Sequence, residues 1–130
     1  MAKSPYIRSK RPSGRTKPRK LESPIHIGIV NYLNLAYGAR KDVYFLHVPN
    51  GGSRHPAEAA ELKRMGTKPG VSDLLIFRGM FPHWLEIKSE DGVVSDYQDE
   101  FLLVVGMLGH KHAVVRSVLE AKDVIDGWLR

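Results

Sequence analysis

Apolar residues along the chain recur with two periods. Ile25, Ile29 and Leu33 stand four apart, the spacing of one helix face. Ser23-Pro24 just ahead of them supplies an N-cap and a proline at the first helical position, which predicts a helix from there to about Tyr37. Asp42 to Val48 is rich in β-branched and aromatic residues and is stopped by Pro49-Asn50-Gly51-Gly52, a strand followed by a turn. Pro56 to Met65 reads as a short helix ended by Gly66, and Lys68-Pro69-Gly70 as loop. Val71 to Phe77 and Trp84 to Lys88 read as two strands, with Arg78-Gly79-Met80 turning between them. Ser95 opens a further helix that carries Phe101 to Leu108 and ends at Gly109; His112 to Arg116 is a fourth strand. Val118, Ala121, Val124, Ile125, Trp128 and Leu129 form the apolar stripe of a last helix. The order predicts an α/β fold, a small mixed β-sheet flanked by helices.

Composition narrows the chemistry. The chain has 130 residues and 42% apolar content, enough for one modest core. It contains no cysteine, which excludes disulfides, thiolate metal sites and cysteine nucleophiles. No apolar run reaches the roughly 18 to 20 residues that span a bilayer, and the basic N-terminus lacks a signal peptide's apolar segment. A soluble protein of the cytoplasm is the expectation.

The net charge of +6 is uneven. Residues 1–20 hold eight basic side chains and no acid, while the remainder carries −2. This Ser-, Pro- and Gly-rich segment reads as a flexible basic arm ahead of a domain at 21–130. Such an arm suits a phosphate backbone, with Arg15, Lys17, Arg19 and Lys20 as candidate contacts, although a solubilising leader has the same composition.

The hairpin between the second and third strands gathers the candidate chemistry. If it turns at Gly79-Met80, Asp73 faces Glu86, and opposed side chains have Cβ atoms about 4.5 to 5.5 Å apart. Lys88, two residues on, shares their face, while Leu74, Ile76, Leu85 and Ile87 point into the core. Two carboxylates so close require a proton or a cation between them. Magnesium takes oxygen ligands and keeps waters, which leaves room for a phosphate and an attacking water. The plainer account is a solvent-facing hairpin with one surface ion pair, stabilising by under about 1 kcal/mol.

The surrounding residues favour the first account. Lys63-Arg64-Met65-Gly66-Thr67-Lys68-Pro69-Gly70-Val71-Ser72-Asp73-Leu74, then Leu85-Glu86-Ile87-Lys88, then Gly92-Val93-Val94-Ser95-Asp96-Tyr97-Gln98, closely resemble the virus-type replication-repair nuclease (VRR-NUC) domain of the PD-(D/E)xK superfamily. The likeness runs roughly from Glu22 to Val118. It implies a restriction-endonuclease-like core in which Asp73, Glu86 and the Ile87 backbone carbonyl ligate Mg2+ (Mn2+ substituting) and Lys88 is the catalytic lysine. It implies further that Gln98 lies at the edge of the active site and that Glu22 completes the acidic cluster. Ser72 stands where the superfamily has proline, and His26 where the family tends to have glutamine.

Simpler roles compete. Ser95 and Gln98 also form a capping box, and Glu22 suits the positive end of a helix dipole. Asn50-Gly51-Gly52 resembles a family loop near DNA, but turn chemistry accounts for it equally. The six histidines show no metal-ligand spacing and are expected to form no metal set. Trp84, Trp128 and the tyrosines read as packing residues. Arg54, Lys63, Arg64 and Lys68 are the candidate phosphate contacts outside the arm. The expected activity is hydrolysis of DNA phosphodiesters by a homodimer preferring branched DNA such as four-way (Holliday) junctions. The alternatives are a non-catalytic nucleic-acid-binding protein of the same fold, or a flap-cutting or restriction-type nuclease.

Overall fold

The computed structural model describes residues 19–49 and 55–130. Arg54, the Asn50-Gly51-Gly52 turn and the arm up to residue 18 lie outside the described residues, as do the side chains of Arg19 and Lys20. The elements are α1 (Arg19–Tyr37), β1 (Val43–His47), α2 (Pro56–Arg64), β2 (Leu74–Arg78), β3 (Phe81–Ile87), α3 (Asp96–Met107), β4 (Lys111–Val115) and α4 (Val118–Leu129). Their kinds and order are those the hydrophobic pattern predicts.

The four strands lie in the order β1-β2-β3-β4; the first two pairings are antiparallel and β3-β4 is parallel, joined through α3. Leu74 faces Leu85 and Arg78 faces Phe81 across a two-residue turn at Gly79-Met80. Gly79 sits at φ +57, a left-handed conformation that costs glycine little. This is the expected hairpin register.

One side of the sheet presents Leu74, Ile76, Leu85, Ile87 and Val115, which pack with Ile29, Leu33 and Tyr37 of α1 and Ala121, Ile125 and Leu129 of α4 into the core. Burying each such aliphatic side chain contributes about 1.5 to 3 kcal/mol. On α3, Phe101 meets the Trp84 ring edge-on at 4.9 Å between centroids. Trp84 alternates with the core-facing Leu85, so α3 covers the opposite side.

Several boundaries differ from the sequence expectation. Helix α1 begins at Arg19, so Ser23-Pro24 is not its start and Pro24 lies inside it. The helix therefore reaches into the segment assigned to the arm. Proline six residues into a helix forfeits only its own amide bond, close to an end where such bonds are few. Strand β2 starts at Leu74 and not Val71, because Asp73 leaves the ladder to serve both neighbouring strands. Strand β3 starts earlier, at Phe81; Pro82 is accepted because β4 pairs only from His83 onward. Strand β4 ends at Val115, which leaves Arg116 outside it.

Helix α4 is anchored by a polar contact that the pattern does not reveal. The hydroxyls of Tyr32 and Tyr37 both donate to Asp126, and Arg130 pairs with it at 3.1 Å. Burial raises the Asp126 carboxyl, but these partners more than offset it and hold it below its ordinary value.

Candidate active site

Asp73 is the junction of the sheet. Its backbone carbonyl accepts the Val48 N–H at 2.9 Å and contacts His47 Nδ1 at 2.7 Å, both on the β1 side. Its carboxylate turns the other way and accepts the Ile87 N–H of β3 at 2.7 Å. The side chain thus takes the place of a backbone acceptor where β2 has run out, and this brings it against Glu86.

Glu86 is only 2% exposed. Its carboxyl is pushed up to about 9, first by burial, then by the charge of Asp73 and a side-chain hydrogen bond with it; the ammonium of Lys88 pulls it down and Glu22 adds to the rise. Glu22, Asp73, Glu86 and Lys88 therefore share one electrostatic environment, although they come from α1, the residue before β2, β3 and the residue after β3. Lys88 is 8% exposed. Burial of both Glu86 and Lys88 is at odds with a solvent-facing hairpin carrying a surface ion pair.

Gln98 reaches the same point from α3. Its amide nitrogen donates to Glu86 Oε1 at 3.1 Å, while its amide oxygen accepts the Ser95 N–H at 2.8 Å and its backbone N–H is taken by Ser95 Oγ at 3.2 Å. The capping box is complete, and the two readings of Gln98 hold together: one end caps the helix, the other holds the carboxylate. Gly70 allows this approach. At φ +83, a Cβ there would lie 2.2 Å from the Tyr97 carbonyl oxygen and 2.8 Å from the Gln98 nitrogen.

Glu86 Oε2 is buried and meets no hydrogen-bond donor among the described residues. A buried, unpartnered carboxylate oxygen beside a second carboxylate costs free energy unless a proton or a cation joins it. The donor set, two carboxylates with the Ile87 peptide alongside, fits a hard divalent cation.

Behind the site, Arg116 donates to the carbonyls of Ser89 at 2.9 Å, Glu90 at 3.3 Å and Gly92 at 2.5 Å, fixing the loop that follows Lys88. Lys63, Arg64 and Lys68 are exposed on α2 and the loop after it, with Arg64 paired to Glu61. Trp84 and Trp128 are packing residues as expected: the Trp84 indole donates to His110 at 3.1 Å and Trp128 lies 5.0 Å from the His83 ring.

The histidines show no metal-ligand spacing along the chain, yet the fold brings two of them beside Asp73. His26, His47 and Asp73 converge, with one ligand atom from each within 4.8 Å of the others. His26 lies one turn beyond Glu22 on α1, and β1 places His47 across from Leu74, beside Asp73. Burial, then the neighbouring His47, lowers the His26 imidazole, with Asp73 opposing. The i,i+4 spacing of Glu22 and His26 was readable in the chain; the β1-β2 register that adds His47 was not.

No sequence-family model matches the chain, and no curated protein matches it by sequence. A solved structure described as a VRR_NUC domain protein is similar in fold, with TM-score 0.68 and 25% identity, covering 83% of this chain and 87% of the other. The chain has a VRR-NUC-like fold. Its mixed sheet with flanking helices is accordingly the restriction-endonuclease-like α/β architecture of a nuclease family. Within this VRR-NUC-like fold, Asp73, Glu86 and Lys88 lie at the end of the β2-β3 hairpin. Among the described residues, no helix is long and apolar enough to cross a membrane.

Proposed function

We propose that this chain is a metal-dependent deoxyribonuclease that hydrolyses phosphodiester bonds, acting on branched DNA such as four-way junctions. The observation that carries the reading is the buried Glu86 carboxyl beside half-buried Asp73, with an oxygen that no donor among the described residues satisfies. Asp73, Glu86 and the Ile87 carbonyl would hold Mg2+, with Mn2+ able to replace it. When bound, the ion supplies an acidified water and neutralises phosphate charge.

The chain's own residues do the rest. Lys88 presents an ammonium, held out of bulk water, to the anionic phosphate oxygens or to the attacking water. Gln98 fixes the orientation of Glu86, and Glu22 adds negative charge that favours a bound cation. Asp73 keeps its position through its bond to the Ile87 amide. Lys63, Arg64 and Lys68, with Arg54 and the arm residues Arg15, Lys17, Arg19 and Lys20, would contact DNA phosphates. A homodimer with two sites related by a two-fold axis suits paired cuts across a junction.

The test incubates labelled four-way junction, flap and linear duplex with the protein and Mg2+, beside Lys88→Ala. Cleavage by wild type alone, preferentially of the junction, is expected. A flap or linear preference would replace the substrate assignment. Binding of all three without cutting, under any divalent ion, would overturn the enzymatic reading.

A further inference from the structure

His26, His47 and Asp73 make a donor set unlike the carboxylate pair beside it. Two imidazoles and one carboxylate oxygen lie within 4.8 Å of one another. The rings of His26 and His47 stand 4.5 Å apart between centroids and nearly perpendicular, at 87°. His47 is exposed, so the set opens to solvent, while His26 and Asp73 are half-buried.

The hydrogen bonding of His47 supplies a second observation. Its Nδ1 lies 2.7 Å from the Asp73 backbone carbonyl oxygen, which can only accept. Nδ1 therefore carries a proton, and in the neutral ring the lone pair falls on Nε2. A ring N–H held by a backbone carbonyl is the arrangement that orients histidine ligands in metalloproteins. Here the same residue, Asp73, provides that orienting carbonyl and offers a carboxylate to the cation.

We infer that His26, His47 and Asp73 form a second divalent-cation site that takes a nitrogen-preferring transition ion, of the Co2+, Ni2+ or Zn2+ class, in preference to Mg2+. Imidazole suits the later first-row ions, whereas Mg2+ takes oxygen ligands and holds its waters. Asp73 belongs to both sites, so the occupancy of one affects the other. Three protein ligands leave positions open for water or for an oxygen of a bound phosphate. The inference stands on the donor set and does not require that the chain cleave DNA.

Cobalt reports directly on such a site. The full chain is titrated with Co2+ in a large excess of Mg2+, following the visible d–d absorption, and with Zn2+ by competition. Wild type and Glu86→Gln are expected to give the same nitrogen-ligated spectrum. His26→Gln and His47→Gln are each expected to weaken Co2+ binding at least tenfold while keeping Mg2+ binding. Should either variant fail to fold, 15N-detected imidazole shifts of the wild type on adding Zn2+ provide the readout, with His26 and His47 moving first. Unchanged Co2+ affinity in both folded variants, no Co2+ binding by wild type, or Zn2+ shifts confined to other histidines would overturn the site. A chain that binds Co2+ through these residues yet cuts no DNA would retain this site and lose the nuclease reading.

Discussion

The Gln98 side-chain nitrogen donates to Glu86 Oε1 at 3.1 Å from the first turn of α3, so one side chain couples the start of a helix to a buried carboxylate on the sheet. Gln98→Ala removes half of the capping box and the donor to Glu86 together. It is expected to destabilise the chain by about 1 to 2 kcal/mol. Gln98→Glu keeps the cap and loses only the donor. Below pH 9, where Glu86 keeps its proton, the new carboxylate can accept from it and the deficit should be smaller than that of Gln98→Ala; it should grow as pH rises past 9 and leaves two carboxylates facing each other. Thermal melts in chelator separate the two.

Glu86 also sets a pH dependence. Its carboxyl is raised to about 9 from an ordinary 4.5 by burial and Asp73, so the folded chain keeps a proton that the unfolded chain has released over that interval. The associated stability is complete below about 4.5 and is lost as pH rises towards 9. His26, His83 and His112 are all lowered, chiefly by burial; their contribution is present above about 6.5 and lost as pH falls. The Glu86 effect is therefore read between pH 7 and 9. In chelator the melting temperature should fall across that window, and Glu86→Gln should flatten it. A wild-type melting temperature that stays level there would contradict the protonated state.

Adding Mg2+ at pH 8 should release close to one proton from wild type, since the cation takes the proton's place between the carboxylates. Calorimetry in two buffers of different ionisation enthalpy measures it. Glu86→Gln should release almost none.

Gly70 and Gly66 offer a controlled comparison, because both have positive φ, +83 and +102. At Gly66 a Cβ would meet nothing, so Gly66→Ala should cost only the backbone strain, about 1 to 2 kcal/mol. At Gly70 it would meet the backbone at the start of α3 as well. Gly70→Ala is expected to cost on the order of 3 kcal/mol or more and to displace Gln98. Denaturant melts and the amide exchange of Gln98 read this. Equal costs at the two glycines would show that α3 does not need the close approach.

The basic arm calls for a salt titration. Deleting residues 2–18 removes six basic side chains and leaves the start of α1. Duplex affinity should fall, and the log–log salt slope should become shallower by up to about 5 if every charge meets a phosphate. Mg2+ affinity should not change. A slope unaffected by the deletion would assign DNA contact to the folded domain alone.

The order of elements and the hairpin register were legible because both are local: alternation along Leu74 to Ile76 and Leu85 to Ile87, and a glycine turn between them. Given that register, Asp73 and Glu86 could be brought together on paper. What escaped depends on distant residues. Asp73 lies just outside β2 because the Ile87 amide and the β1 donors draw it out of the ladder, and neither is close in sequence. The convergence of His26 with His47 needed the pairing of β1 with β2. Proline at residue 24 read as a helix start because proline favours the first helical turn, yet α1 already begins at Arg19.

Asp73 bonds to β1 with its backbone and to β3 with its side chain. A substitution there that abolishes activity would say little about chemistry, since the same change also takes the acceptor from the Ile87 amide and loosens the end of β2 from β3. The informative lesions are at Lys88 and Glu86, whose side chains can be altered without cutting the mesh that holds the strands in line. A loss-of-function survey that ranks Asp73 first would measure the carpentry of the sheet as much as its reactivity.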